Sequence, residues 1–316
     1  MDSPMPESAI TFKRVDRRFG DVQAVRDLDM NIAAGSVAVL LGPNGAGKTT
    51  TVRLATGALE SDGGTITVLG MDPRVDGNEI RRASGVVPPK AAFYERLSGR
   101  ENLEFAAKLW ELGSAAPIDE SAERFGIGHA LEQEVGGYST GMRTRLALAR
   151  AILHDPTVLL LDEPTAGLDP ESARAVLDLI RDMAGQGRTI VMCTHLLHEA
   201  EGIADQVVLM SEGHAWVAGH PDHLAEKFWN DNRVHFDAED RSQLDELQHL
   251  DGVTATTVNG HVTAELEHLD RLPDIVAHLV GRGARLTRVE PVQPTLEELY
   301  FQMQRHRRNA PGGTAK

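Results

Sequence analysis

The run Gly42-Pro43-Asn44-Gly45-Ala46-Gly47-Lys48-Thr49, with Thr50 after it, satisfies the pattern G-x-x-x-x-G-K-[ST]. Glycines at these positions let backbone N–H groups close around phosphate oxygens. Lys48 supplies a cation for β- and γ-phosphates, and the Thr49 hydroxyl can ligand Mg²⁺. At average composition the bare pattern arises by chance in about one chain in a hundred of this length. Its context sharpens it, because the apolar run Val37 to Leu41 precedes it and the helical stretch Thr49 to Leu59 follows. A second group of chemically able residues, Asp162 and Glu163, ends the apolar run Val158 to Leu161. A carboxylate pair at a strand end can hold a metal through water at Asp162 and polarise an attacking water at Glu163. Together the two groups imply nucleotide hydrolysis.

The elements that must position these residues can be read from the apolar pattern. Val37 to Leu41, Val158 to Leu161 and Thr189 to Cys193 are short, rich in branched residues and not alternating, as strands covered on both faces are. They alternate with helix-period segments, which predicts an α/β domain with a largely parallel sheet. Ile10 to Ile32 alternates and predicts an antiparallel portion. Between Leu97 and Ile152 helical spacing dominates, with Asn102 to Leu112 and Met142 to Leu153 the clearest helices, so a helical subdomain is expected over about residues 95–153. Val207 to Met210 and Ala215 to Ala218 flank Ser211-Glu212-Gly213-His214, a hairpin closing this domain.

Beyond residue 232 the elements shorten: strand Val234 to Phe236, helix Arg241 to Leu250, strands Val253 to Val258 and His261 to Leu266 joined by the turn Asn259-Gly260, helix Leu272 to Val280, strand Ala284 to Val289 and helix Thr295 to Arg305. The order βαββαβ is that of a ferredoxin-like unit. The expected organisation is thus a disordered N-terminus (1–8), a nucleotide-binding domain (9–228), a C-terminal regulatory or dimerisation domain (229–308) and a disordered tail (309–316).

The 316 residues carry 32 Lys plus Arg against 47 Asp plus Glu, a net charge of −15 that disfavours a nucleic-acid partner. No apolar run approaches the roughly 20 residues that span a bilayer. The start lacks a basic region followed by an apolar one, and a single cysteine, Cys193, excludes an internal disulfide, so a cytosolic setting is expected. Cys193 lies in an apolar run and is expected to be buried and inert. His249, His261, His268 and His278 lack metal-ligand spacing.

In sequence order these residues resemble an ABC-type ATPase, the nucleotide-binding subunit of a transporter, over roughly the first 225 residues. Tyr138-Ser139-Thr140-Gly141-Met142-Arg143 is similar to the family's signature loop and leads into a helix. The resemblance implies ATP and Mg²⁺ as cofactors, with Thr49 and Asp162 at the metal and Lys48, Glu163 and the switch histidine His195 at the γ-phosphate. It implies Phe19 as the aromatic stacked on adenine, and a head-to-tail pair of such domains in which Ser139, Gly141 and Asp169 reach the nucleotide held by the other subunit. Asp169 and Pro170 also suit the N-cap and first turn of a helix.

Two positions depart from the family pattern. Pro89 stands where a Gln normally touches Mg²⁺ and the water, and proline has neither a side-chain donor nor an N–H. Thr140 replaces the first signature glycine. Slow turnover, or an asymmetric complex in which this chain is a nucleotide-gated subunit, is the alternative these two imply. Pro88 to Leu112, with Arg100-Glu101-Asn102-Leu103, resembles the segment on which a cytoplasmic helix of a transporter docks. Together with the ending Pro294-Thr295-Leu296-Glu297-Glu298-Leu299-Tyr300, these features look most like drug-export ATPases of the daunorubicin-resistance type. The resemblance therefore implies a separate membrane permease, a second ATPase subunit, and a peripheral place on the cytoplasmic face of the membrane. Ribosome-acting factors and DNA-repair clamps, with two cassettes or long coiled coils, fit neither the pattern nor the charge.

Overall fold

The computed structural model describes residues 8–113, 117–229, 231–259 and 261–309. Its chain divides into two compact units between Pro221 and Asp222, before the boundary expected at residue 228.

The strands of the first unit are β1 (Ser8–Phe19), β2 (Val22–Ala33), β3 (Val37–Leu41), β4 (Gly63–Val68), β5 (Ser84–Val87), β6 (Val158–Asp162), β7 (Thr189–Thr194), β8 (Gln206–Ser211) and β9 (His214–Gly219). β2, β1 and β4 form an antiparallel sheet in that order, with Ile10 opposite both Ile32 and Val68. The other six form one sheet in the order β5-β6-β7-β3-β8-β9, parallel except for the edge strand β9. Every residue of β3, β6 and β7 is buried, which is why those segments are apolar without alternation. Phe12, Ile32, Leu40, Leu54, Leu160 and Val191 share one core, and each such side chain taken from water contributes about 1.5–3 kcal/mol.

The helices of this unit are α1 (Lys48–Ala55), α2 (Gly77–Arg82), α3 (Gly99–Leu109), α4 (Ile118–Arg124), α5 (Thr140–Ile152), α6 (Pro170–Gly185) and α7 (Leu197–Ala200). α1 stops short of the expected Leu59. The helical subdomain holds α3, α4 and α5, and no strand interrupts it among the described residues. α3 is started by a capping box in which Ser98 and Glu101 exchange side-chain to backbone hydrogen bonds.

Helix α8 (Pro221–Phe228) starts at the division, and the second unit goes on with β10 (Arg233–Ala238), β11 (Val253–Asn259), β12 (His261–Leu266), α9 (Leu272–Gly281), β13 (Leu286–Pro291) and α10 (Leu296–Asn309). Its sheet runs β11-β12-β10-β13 with every neighbour antiparallel, the order of a ferredoxin-like unit. The expected helix Arg241 to Leu250 is a 3₁₀ stretch, Arg241–His249. Its two buried leucines, Leu244 and Leu247, are three residues apart, the spacing that a three-residue turn superimposes. Strand β13 starts at Leu286 rather than Ala284. Ser8 belongs to β1 and Asn309 to α10, not to the expected disordered ends. Gly260 of the predicted turn, Met1 to Glu7 and the residues after Asn309 lie outside the described residues.

Candidate nucleotide site

Strand β3 ends at Leu41 and α1 begins at Lys48, so the glycine-rich run is the turn between them. Gly47 has φ 101°, and a Cβ there would come within 2.5 Å of the Ala24 carbonyl oxygen in β2. At Gly42 a Cβ would come within 2.3 Å of the Met210 carbonyl oxygen in β8. The loop is therefore wedged between backbones on both sides, a fit that only glycine allows. Pro43, Asn44 and Gly45 form its exposed rim, while Ala46 is buried and Thr49 and Thr50 are half-buried on α1.

Lys48 is buried, and its Nζ donates to the carbonyl oxygen of Gly42 at 2.6 Å and lies 3.8 Å from Oε1 of Glu163. Asp162 ends β6 with only 2 % of its surface exposed. Burial pushes its carboxyl above the usual carboxylate range, with the Thr49 hydroxyl beside it pulling the other way. Its Oδ2 is buried and has no hydrogen-bond partner. An unpaired acceptor at that depth, next to the Thr49 hydroxyl, fits a hydrated divalent cation.

Glu163 follows with φ 53°, a left-handed backbone that costs a non-glycine residue about 1–3 kcal/mol and clusters at functional sites. Its N–H donates to the Cys193 carbonyl oxygen at 2.9 Å, which holds the turn against β7. Its carboxylate accepts from Nδ1 of His195 at 2.9 and 3.0 Å. An ionised carboxylate only accepts, so Nδ1 is the donor in this contact. Cys193, fully buried, has its thiol pushed well up by burial and is inert, as its sequence setting implies.

The structure thus brings together Lys48, Thr49, Asp162, Glu163 and His195. It does not join Ser139, Gly141 or Asp169 to them by any hydrogen bond within the chain among the described residues. Ser139 caps α5 by accepting from the Met142 N–H, and Asp169 caps α6 by accepting from the Ser172 N–H. These two helix starts adjoin each other: a Cβ on Gly167 would meet the Thr140 methyl at 3.4 Å, and one on Gly141 would meet Leu168 at 3.7 Å. Phe19 ends β1, is 43 % exposed, and has the Arg17 guanidinium over its ring at 4.8 Å.

Pro89 and Thr140, the two departures from the family pattern, line the same cavity of about 300 Å³, together with Lys90, Arg143 and Glu163. A larger groove of about 720 Å³ lies in the predicted docking region, with Val86, Phe93, Tyr94, Phe105, Leu109 and Trp110 among its walls. Asn102 shapes it by bonding the backbone of Tyr94, Leu97 and Ser98. Sequence reasoning missed His154, which stacks on Trp110 at 4.2 Å between ring centres. It also missed the backbone strain at Glu163, for which no residue type is a signal.

A phosphate loop after a buried parallel strand, a carboxylate pair ending the sheet's strand β6 and a histidine just beyond strand β7 define a P-loop nucleotide hydrolase. Residues 25–166 match the family described as ABC transporter. The chain is 36% identical over 306 residues to the daunorubicin resistance ATP-binding protein DrrA3 of Streptomyces coeruleorubidus, covering 95% of this chain and 96% of that one. To the daunorubicin/doxorubicin resistance ATP-binding protein DrrA of Streptomyces peucetius it is 36% identical over 248 residues, 77% of this chain and 75% of the relative. A solved structure described as the ATP binding subunit of an ABC transporter superposes with a TM-score of 0.64 at 26% identity, over 70% of this chain and 93% of that one. The chain belongs to the ABC transporter family, as an ATP-binding subunit similar to those named for daunorubicin resistance, and in this family ATP hydrolysis is coupled to transport. Subunits of this family dimerise and work with membrane permeases. No helix among the described residues is long and apolar enough to cross a membrane.

Proposed function

We propose that this chain drives efflux of a drug, antibiotic or lipid-like compound through a separate permease, hydrolysing ATP between two head-to-tail ATPase subunits. The observation that carries the reading is the meeting of Lys48, Asp162, Glu163 and His195 at one end of the parallel sheet. Lys48 holds the β- and γ-phosphates within the loop Gly42 to Thr50. Glu163 orients and polarises the attacking water, and His195 steadies Glu163; with both ring nitrogens protonated, its other N–H donates to the γ-phosphate. Thr49 and, through water, Asp162 would hold Mg²⁺, which would supply positive charge to the phosphates. Phe19 packs on the adenine, and Ser139, Gly141 and Asp169, unengaged with their own chain's site, serve the nucleotide of the other subunit.

The apolar groove beside α3 is the seat for a cytoplasmic helix of the permease, which keeps the chain peripheral on the cytoplasmic face. Its exposed wall residues Tyr94, Phe105 and Leu109 support this. The domain after residue 228 serves pairing or regulation. A second reading, a slow nucleotide-gated subunit of an asymmetric complex, is favoured by Pro89 and Thr140 lining one cavity with Glu163.

The test is Mg²⁺-dependent ATP hydrolysis and permease capture by the full chain. Lys48→Ala should lower turnover by about 10²-fold or more. Leu109→Asp, at 68 % exposure, should release the permease while ATP binding stays. Turnover surviving Lys48→Ala would overturn the site, and capture surviving Leu109→Asp would overturn the groove.

A further inference from the structure

Behind the nucleotide site lies a carboxylate that the proposed chemistry does not use. Glu199, in α7, is 2 % exposed. Its Oε1 accepts from the Thr165 hydroxyl at 2.5 Å and its Oε2 from the Thr194 hydroxyl at 2.7 Å. Thr165 stands two residues after Glu163, and Thr194 immediately precedes His195. The Thr194 hydroxyl also accepts from the Leu196 N–H at 3.1 Å, so the chain is fixed on both sides of His195. The described partners of Glu199 are hydroxyls rather than cations. Burying a carboxylate with neutral partners costs several kcal/mol of hydration, and a side chain chosen for packing alone would avoid that cost.

We infer that Glu199 is a positioning residue: through Thr165 and Thr194 it fixes the loop that carries Glu163 against the loop that carries His195. A carboxylate suits the task because both its oxygens accept. Thr194 already receives the Leu196 N–H, so its own proton needs an acceptor, and Thr165 needs one as well. Glutamine at the position offers one acceptor and one donor, leaving one hydroxyl proton unplaced. The two loops then lose their common anchor, and the pair Glu163–His195 drifts from its 2.9 Å contact. Displacement on the order of 1 Å at such a site costs about 10²-fold in rate.

The inference rests on the roles proposed for Glu163 and His195, and the experiment separates the two. In the full chain assembled with its permease, kcat and KM for MgATP are measured for Glu199→Gln, His195→Ala and the double variant, with melting curves for each. The expected result is a kcat lowered by about 10²-fold in Glu199→Gln with KM changed less than about threefold, and little further loss when it is added to His195→Ala. Thr194→Ser, which keeps the hydroxyl, should turn over at least about tenfold faster than Thr194→Val, which keeps the shape and loses it. Should Glu199→Gln fail to fold, the Thr194 pair and Thr165→Val carry the same comparison. Additive losses in the double variant, or equal rates for Thr194→Ser and Thr194→Val, would overturn the positioning role. Full turnover in His195→Ala would instead overturn the site assignment on which it depends.

Discussion

Nδ1 of His195 lies 2.9 Å from Oε2 and 3.0 Å from Oε1 of Glu163, bridging the ends of two adjacent strands. The in-register pairing of Asp162 with Cys193 sets this up, because it places the residues that follow each strand side by side. With Nδ1 committed to Glu163, the other ring nitrogen is the one left for a phosphate, to which it donates only when it too carries a proton. Replacing His195 by Ala should cut kcat by about 10²-fold while ATP affinity stays within about tenfold, read by steady-state hydrolysis and equilibrium nucleotide binding. Equal losses in both quantities would mean that the histidine contributes only to binding.

Pro89 faces the cavity that Glu163 also lines, yet it can neither donate nor accept through its side chain. Pro89→Gln should raise basal or transport-coupled turnover by about tenfold, as a water-positioning amide would. Thr140→Gly, which removes the methyl set against Gly167, should add to that gain in the dimer. Rates unchanged in Pro89→Gln would show that this position does not limit hydrolysis.

Asp162 trades stability for function. Its carboxyl is held above the ordinary value of 3.8 by burial, so the folded chain binds this proton more tightly than the unfolded one. The resulting penalty is complete at neutral pH and fades as pH falls through the raised value toward 3.8. Asp162→Asn should therefore melt higher than the wild type in Mg²⁺-free buffer at neutral pH. The same variant should lose Mg²⁺-dependent hydrolysis. A lower melting temperature would contradict the origin assigned to the shift.

His154 carries the opposite linkage. Burial beneath Trp110 lowers its pKa from the ordinary value of 6.5, against the pull of the Ser84 carbonyl oxygen and Asp155. Below 6.5 the unfolded chain takes up a proton that the folded chain resists, so this stabilisation is whole above that value and is lost as pH falls. Melting temperature should fall between about pH 7.5 and 5.5, and His154→Asn should fall less over the same range. Superimposable profiles would remove His154 from the account.

The central sheet was legible in the residues because strands buried on both faces must be apolar without alternation, and β3, β6 and β7 are. The phosphate loop was legible because wedging a turn between Ala24 and Met210 leaves no room for Cβ atoms, and glycine marks such places. The order of short elements after residue 232 also emerged, with Asn259 ending β11 and His261 beginning β12. What stayed hidden has a common cause. The 3₁₀ path of Arg241–His249, the left-handed φ of Glu163 and the anchoring of two loops by Glu199 all depend on contacts with distant residues. An isolated Glu near a helix start looks solvated, and only the closing of α7 over Thr165 and Thr194 makes it buried.

The central claim is that Glu163 handles the attacking water while other residues hold the nucleotide. Its most direct test is a single-turnover experiment on Glu163→Gln, following both bound ATP and released phosphate. ATP should stay bound at wild-type occupancy, with phosphate release slowed by about 10³-fold or more. Phosphate released at the wild-type rate would contradict the account.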